Sequence, residues 1–97
     1  MPIMVIFEGR AKPEAVDRLK AALPGVFPDT RAYDGCRGIT AYINADDGCT
    51  IVFVESWDTK AHYERYFAWR TETGVIAKLV SMLQEPPSIR YFDKIDA

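Results

Sequence analysis

Ninety-seven residues, 48% of them hydrophobic and 27% charged, suit one folded domain over residues 1–97 and exclude a disordered chain. The net charge is −2 and the Lys and Arg residues stand singly, so no basic patch draws the chain to nucleic acid or to an anionic membrane. No apolar run approaches the roughly 20 residues of a membrane span, and MPIMVIFEGR lacks the basic start and cleavage site of a secretion signal, so a cytoplasmic location is expected.

Pro2 to Gly9 alternates in hydropathy and predicts a first strand, with Ile3, Val5 and Phe7 on one face and Met4 and Ile6 on the other. Pro13 sits where a first helical turn tolerates it. Val16, Leu19, Ala22 and Leu23 then form the apolar stripe of a first helix. Pro24-Gly25 is expected to end or kink that helix, with Val26-Phe27 adding at most one turn before Pro28. Asp29 to Gly35 reads as a polar connection. A second strand follows from Cys36 to Asn44, then a hairpin loop over Ala45 to Gly48 and a third strand from Thr50 to Trp57. Asp58 or Thr59 caps a second helix that runs to about Thr73, and Gly74 supplies the left-handed residue that ends it. Val75 to Leu83 predicts a short third helix stopped by Pro86-Pro87, and Ser88 to Ile95 a fourth strand.

The order β-α-β-β-α-(α)-β is the ferredoxin-like plan: an α+β fold with both main helices on one face of a four-stranded antiparallel sheet. Cys36 and Cys49 fall at opposite ends of the hairpin, roughly 25 Å apart at about 3.3 Å per residue. That is too far for a disulfide, and two cysteines with one histidine are too few for a metal site.

If Asn44 pairs with Cys49, one hairpin face holds Ile39, Ala41, Ile43, Val52 and Val54. The other holds Thr40, Tyr42, Ile51, Phe53, Glu55 and Trp57. Neither face is polar enough for water, although only one can be covered by this chain's helices. A second copy packed sheet to sheet, a homodimer closing a dimeric α/β barrel, is the simplest cover.

Three stretches, TRAYDGC, ESWDTKAHYERY and WRTETG, resemble the antibiotic biosynthesis monooxygenase family of the dimeric α/β-barrel superfamily. That superfamily includes cofactor-independent monooxygenases acting on quinols and aromatic polyketides, haem-degrading enzymes and lactone isomerases. The resemblance implies a pocket in each subunit between the helix side of the sheet and the second helix. It implies that Trp57 matches the family's Trp at the end of the third strand, and that Tyr63 matches an aromatic used to contact or protonate substrate. Where some members carry Asn and His, this chain has Phe53 and Tyr66. The position comparable to the haem-degrading branch's axial His falls near Ile76, so haem ligation is not expected.

Cofactor-free oxygenation needs an electron-rich substrate, such as a phenol or quinol, held in a dry aromatic pocket with one or two hydrogen-bond donors. Neither GxGxxG nor HExxH occurs, and no cofactor or metal is expected. Tyr63, His62, Tyr66 and Glu55 are the candidates for proton transfer. Trp57, Phe53, Tyr42 and Trp69 are those for substrate binding. Glu55 is the odd residue, a carboxylate in an apolar strand, and burial beside Tyr42 would raise its pKa. Each aromatic serves equally as packing, which leaves open a non-catalytic binding or interaction protein, or an isomerase that needs no oxygen.

Overall fold

The computed structural model describes residues 2–97. Strand β1 (Ile3–Arg10) leads through a 3-10 turn (Pro13–Ala15) into helix α1 (Val16–Ala32), followed by β2 (Cys36–Ile43), β3 (Thr50–Trp57), α2 (Lys60–Glu72), α3 (Val75–Ser81) and β4 (Ser88–Asp93). The strands form one antiparallel sheet in the order β2-β3-β1-β4, the ferredoxin-like arrangement expected from the element order. Among the described residues no helix is long and apolar enough to cross a membrane.

The hairpin register differs by one residue from the expected one. Ile43 pairs with Ile51, Ala41 with Phe53 and Ile39 with Glu55. The cause lies in the loop. Asn44 Oδ1 accepts from the backbone N–H groups of Asp46 and Asp47 at 2.8 and 3.0 Å, and Asp47 Oδ1 accepts from those of Cys49 and Thr50 at 2.8 and 2.9 Å. Cys49 therefore spends its N–H on the turn, and the ladder begins one residue later, with Asn44 N donating to Thr50 O at 2.8 Å. These bonds also draw the Asp47 carboxyl down to about 2.

The corrected register re-sorts the two faces. Ile39, Ala41 and Ile43 join Ile51, Phe53, Glu55 and Trp57, together with Val5 and Phe7, on the helix side. The open side carries Met4, Ile6, Thr40, Tyr42, Val52, Val54 and Phe92, and Met4, Tyr42 and Phe92 are exposed. Tyr42 thus lies across the sheet from Glu55 rather than beside it. Cys36 and Cys49 are free thiols at opposite ends of the hairpin.

Helix α1 does not stop at Pro24-Gly25. It continues through Pro24 and Pro28 to Ala32 and takes in most of the segment expected to be a polar connection. Each proline removes one helical hydrogen bond, but both sit on the exposed side, where water can serve the freed carbonyls. Tertiary contacts hold the second half in place. Phe27 meets the Phe53 ring edge-on at 5.2 Å, and Thr30, completely buried, bonds to α2. Helix α3 stops at Ser81 rather than Leu83. Leu83 bridges to Ala11, while Met82 O and Gln84 N bond to the backbones of Lys12 and Arg10. Strand β4 ends at Asp93, opposite Ile3, where its partner strand begins.

Candidate active site

Between the helix side of the sheet and the three helices lies a cavity of about 320 Å³. Its walls are apolar: Phe7 and Phe53 from the sheet, stacked at 5.1 Å, with Leu19 and Phe27 from α1 and Leu79 from α3. Lys78 contributes to the α3 wall. The remaining polar lining is Glu55, Tyr63 and Tyr66. That is the composition of a small-molecule site, a mostly apolar volume with a few convergent polar groups.

Glu55 is placed there by strand alternation. Positions 51, 53, 55 and 57 of β3 all point toward the helices, and Glu55 is only 3% exposed. Burial pushes its carboxyl from an ordinary value near 4.5 up to about 7, while Trp57 Nε1, donating to Glu55 Oε1 at 3.1 Å, pulls it back. At neutral pH the group is poised between acid and base.

Tyr63 stands one turn into α2, a helix started by Thr59, whose Oγ1 accepts from the His62 N–H at 3.2 Å. It is buried, and its phenol is driven up by that burial and by the nearby Glu55 charge. Among the described residues no protein group hydrogen-bonds its hydroxyl, and no fully buried polar atom lacks a partner. The Tyr63 hydroxyl therefore keeps some accessible surface, and the residue lines the cavity.

Tyr66 differs. Its hydroxyl lies 2.7 Å from Thr30 Oγ1 and accepts from Arg70 Nε at 3.1 Å. Arg70, 4% exposed, also donates through Nη2 to Thr30 Oγ1 at 3.0 Å and to Val26 O at 2.7 Å, and no described carboxylate lies within ion-pair distance of it. Burial raises the Tyr66 phenol, and the bonds from Thr30 and Arg70 oppose the rise. The Tyr66 ring lines the cavity while its hydroxyl ties α2 to α1.

The other sequence candidates fall outside the cavity wall. Trp57 is completely buried behind Glu55. His62 packs on Gly35, whose φ of +88° and closeness to the imidazole leave no room for a Cβ. The Thr59 hydroxyl lies 2.7 Å from His62 Nδ1, and His62 Nε2 is 3.8 Å from Asp34 Oδ2. Trp69 stacks on Tyr33 at 5.2 Å, with the Arg70 guanidinium 4.5 Å from its ring. Tyr42, 60% exposed, is on the opposite face of the sheet. Of the eight candidates, Glu55, Tyr63, Tyr66 and Phe53 converge on one cavity.

The candidates drawn from the sequence include neither Arg70 nor Thr30. The available signal was the i, i+4 spacing of Tyr66 and Arg70 on one helix, which puts both groups on the same face.

Comparison with known proteins agrees with this architecture. The family model described as antibiotic biosynthesis monooxygenase matches residues 2–71. A Mycobacterium tuberculosis protein named "Putative monooxygenase Rv0793" is 38% identical over 52 residues. That alignment covers 54% of this chain, and the chain spans about half the length, 52%, of that relative. The solved structure of Rv0793 superposes with a TM-score of 0.85 at 26% identity, covering 100% of this chain and 98% of that one. A structure from Deinococcus radiodurans, described as a putative antibiotic biosynthesis monooxygenase, has the same fold, with a TM-score of 0.83 at 19% identity and coverage of 98% and 94%.

Proposed function

The chain belongs to the antibiotic biosynthesis monooxygenase family, and from that premise we propose that it is a cofactor-independent monooxygenase for a small aromatic substrate, phenolic or quinol-like, with an activated C–H or O–H. The observation that carries this reading is the pairing of a buried, near-neutral Glu55 carboxyl with an unpartnered Tyr63 hydroxyl in one apolar cavity. Glu55 takes a proton from the substrate, and Tyr63 donates a hydrogen bond to the oxygen on which negative charge collects. The substrate anion passes one electron to dioxygen, and the resulting radical and superoxide combine into a C–O bond. Glu55 returns its proton to the peroxide. For an activated methylene, the O–O bond then breaks to leave a carbonyl and one water, which carries both hydrogens lost from carbon. Electrons come from the substrate throughout.

The open sheet face supports a second part of the proposal. Met4, Ile6, Tyr42, Val52, Val54 and Phe92 make an apolar surface with no helix above it. A second copy of this chain covers it in our reading.

The test is oxygen uptake with an anthrone or a reduced naphthoquinol. Uptake above the no-protein blank is expected, with a loss of at least about 100-fold in Glu55→Gln, the scale of a removed general base. A smaller loss is expected in Tyr63→Phe. Turnover of the same compounds under nitrogen points instead to an isomerase, and no uptake across a broad phenol panel contradicts the proposal.

A further inference from the structure

We propose that Trp57 is a positioning residue acting through Glu55: its indole N–H occupies one carboxylate oxygen, which leaves the other alone to exchange a proton within the cavity. The proposal rests on reading Glu55 as the base, and it assigns Trp57 a task other than the substrate contact implied by family resemblance.

Three observations carry it. First, Trp57 is completely buried and forms no part of the cavity wall, so a ligand there has no access to the indole. Second, the indole is held by rings on several sides, with centroids at 4.9 Å for Tyr66, 5.7 Å for Tyr63 and 6.3 Å for Tyr33. Packed in this way, the N–H has one direction available, and it meets Glu55 Oε1 at 3.1 Å. Third, Glu55 lines the cavity and makes no other hydrogen bond among the described residues, and no fully buried polar atom lacks a partner, so Oε2 keeps some accessible surface.

The surroundings make this one donor decisive. The titratable groups around Glu55 are Tyr63 and Tyr66 on α2, Tyr91 on β4 and Cys36 on β2, all weak acids that stay neutral near pH 7. Arg70 is turned away to Tyr66, Thr30 and Val26. Lys78 lines the same cavity from α3. Among the described residues, Trp57 is thus the one group that stabilises the Glu55 anion by hydrogen bonding. Without it, burial acts unopposed and the carboxyl stays protonated at neutral pH.

The experiment follows the Glu55 carboxyl by carbon-13 NMR across pH, with Glu55→Gln identifying its signal. In Trp57→Phe the titration midpoint is expected to climb by about one pH unit or more, the scale of one hydrogen bond to a charged group. The acid limb of oxygen uptake climbs with it, while KM changes little. An unchanged midpoint in a folded variant overturns the proposal, as does a KM that rises several-fold while the midpoint holds. Should Trp57→Phe fail to fold, benzothienylalanine incorporated in a Trp69→Phe background exchanges the indole N–H for sulfur at nearly constant shape. The same shift is then expected, and its absence overturns the proposal. A shifted midpoint in a protein without oxygen uptake leaves the positioning role standing and removes the assignment of Glu55 as base. Uptake with an unmoved midpoint does the reverse.

Discussion

A carboxylate that is 3% exposed and bonded to one indole N–H is expensive to ionise, and the sign of that cost can be tested. The folded protein holds the Glu55 proton up to about pH 7, whereas the unfolded chain releases it near 4.5. Between those values the folded state binds more protons, so stability falls as pH rises through this window and levels off above it. Below both values Glu55 is neutral in either state and the penalty vanishes. Glu55→Gln keeps an acceptor for Trp57 and cannot ionise. It is therefore expected to be more stable than the wild type by up to about 3 kcal/mol at about pH 8, with little difference at about pH 4.5. Urea unfolding at the two pH values measures it, and equal stability at both contradicts a buried ionising carboxylate. An inactive yet more stable variant is the signature expected of a catalytic group kept against its own folding cost.

At the scale of elements, the second half of α1 depends on α2. Two prolines weaken its own hydrogen bonding, and the Arg70 guanidinium adds support from α2 by binding Val26 O and Thr30 Oγ1. Arg70→Met, similar in length, leaves those acceptors and the Tyr66 hydroxyl short of a donor, and is expected to cost about 2 kcal/mol. Hydrogen exchange is expected to quicken over residues 26–32 and not in β1 or β3. A uniform change across the protein contradicts the clamp.

The same elements show what could be read from sequence. Strand alternation, the Thr59 cap and Gly74, with its φ of +85°, each follow from local chemistry, and the element order and β3 came out as expected. The continuity of α1 did not, because Pro24 and Pro28 argue locally for a stop, while the contacts that override them come from Phe53 and Arg70, far along the chain. The hairpin slipped by one residue because the Asp47 side chain takes the Cys49 N–H, and with it Tyr42 moved to the other face. Glu55 was recognisable as a carboxylate out of place in an apolar strand, and Tyr63 through the family resemblance. That Tyr66 spends its hydroxyl on Thr30 and Arg70 is a matter of three-dimensional packing, which no spacing encodes.

For the whole molecule, one face of the sheet carries the helices and the cavity, and the other carries exposed Met4, Tyr42 and Phe92 among β-branched neighbours. The proposed dimer buries that face. Sedimentation at micromolar concentration is expected to give twice the chain mass of 11.0 kDa, and Val54→Lys, at the middle of the face, is expected to shift it toward monomer. A monomeric wild type contradicts the dimer.

The central claim is that Glu55 supplies a base of near-neutral pKa to an apolar cavity, and the pH dependence of oxygen uptake tests it most directly. With an anthrone substrate, kcat/KM is expected to rise with pH through a midpoint of about 7, as Glu55 ionises, and to lose that step in Glu55→Gln. A wild-type profile that is flat across this range, or a step that survives in Glu55→Gln, contradicts it.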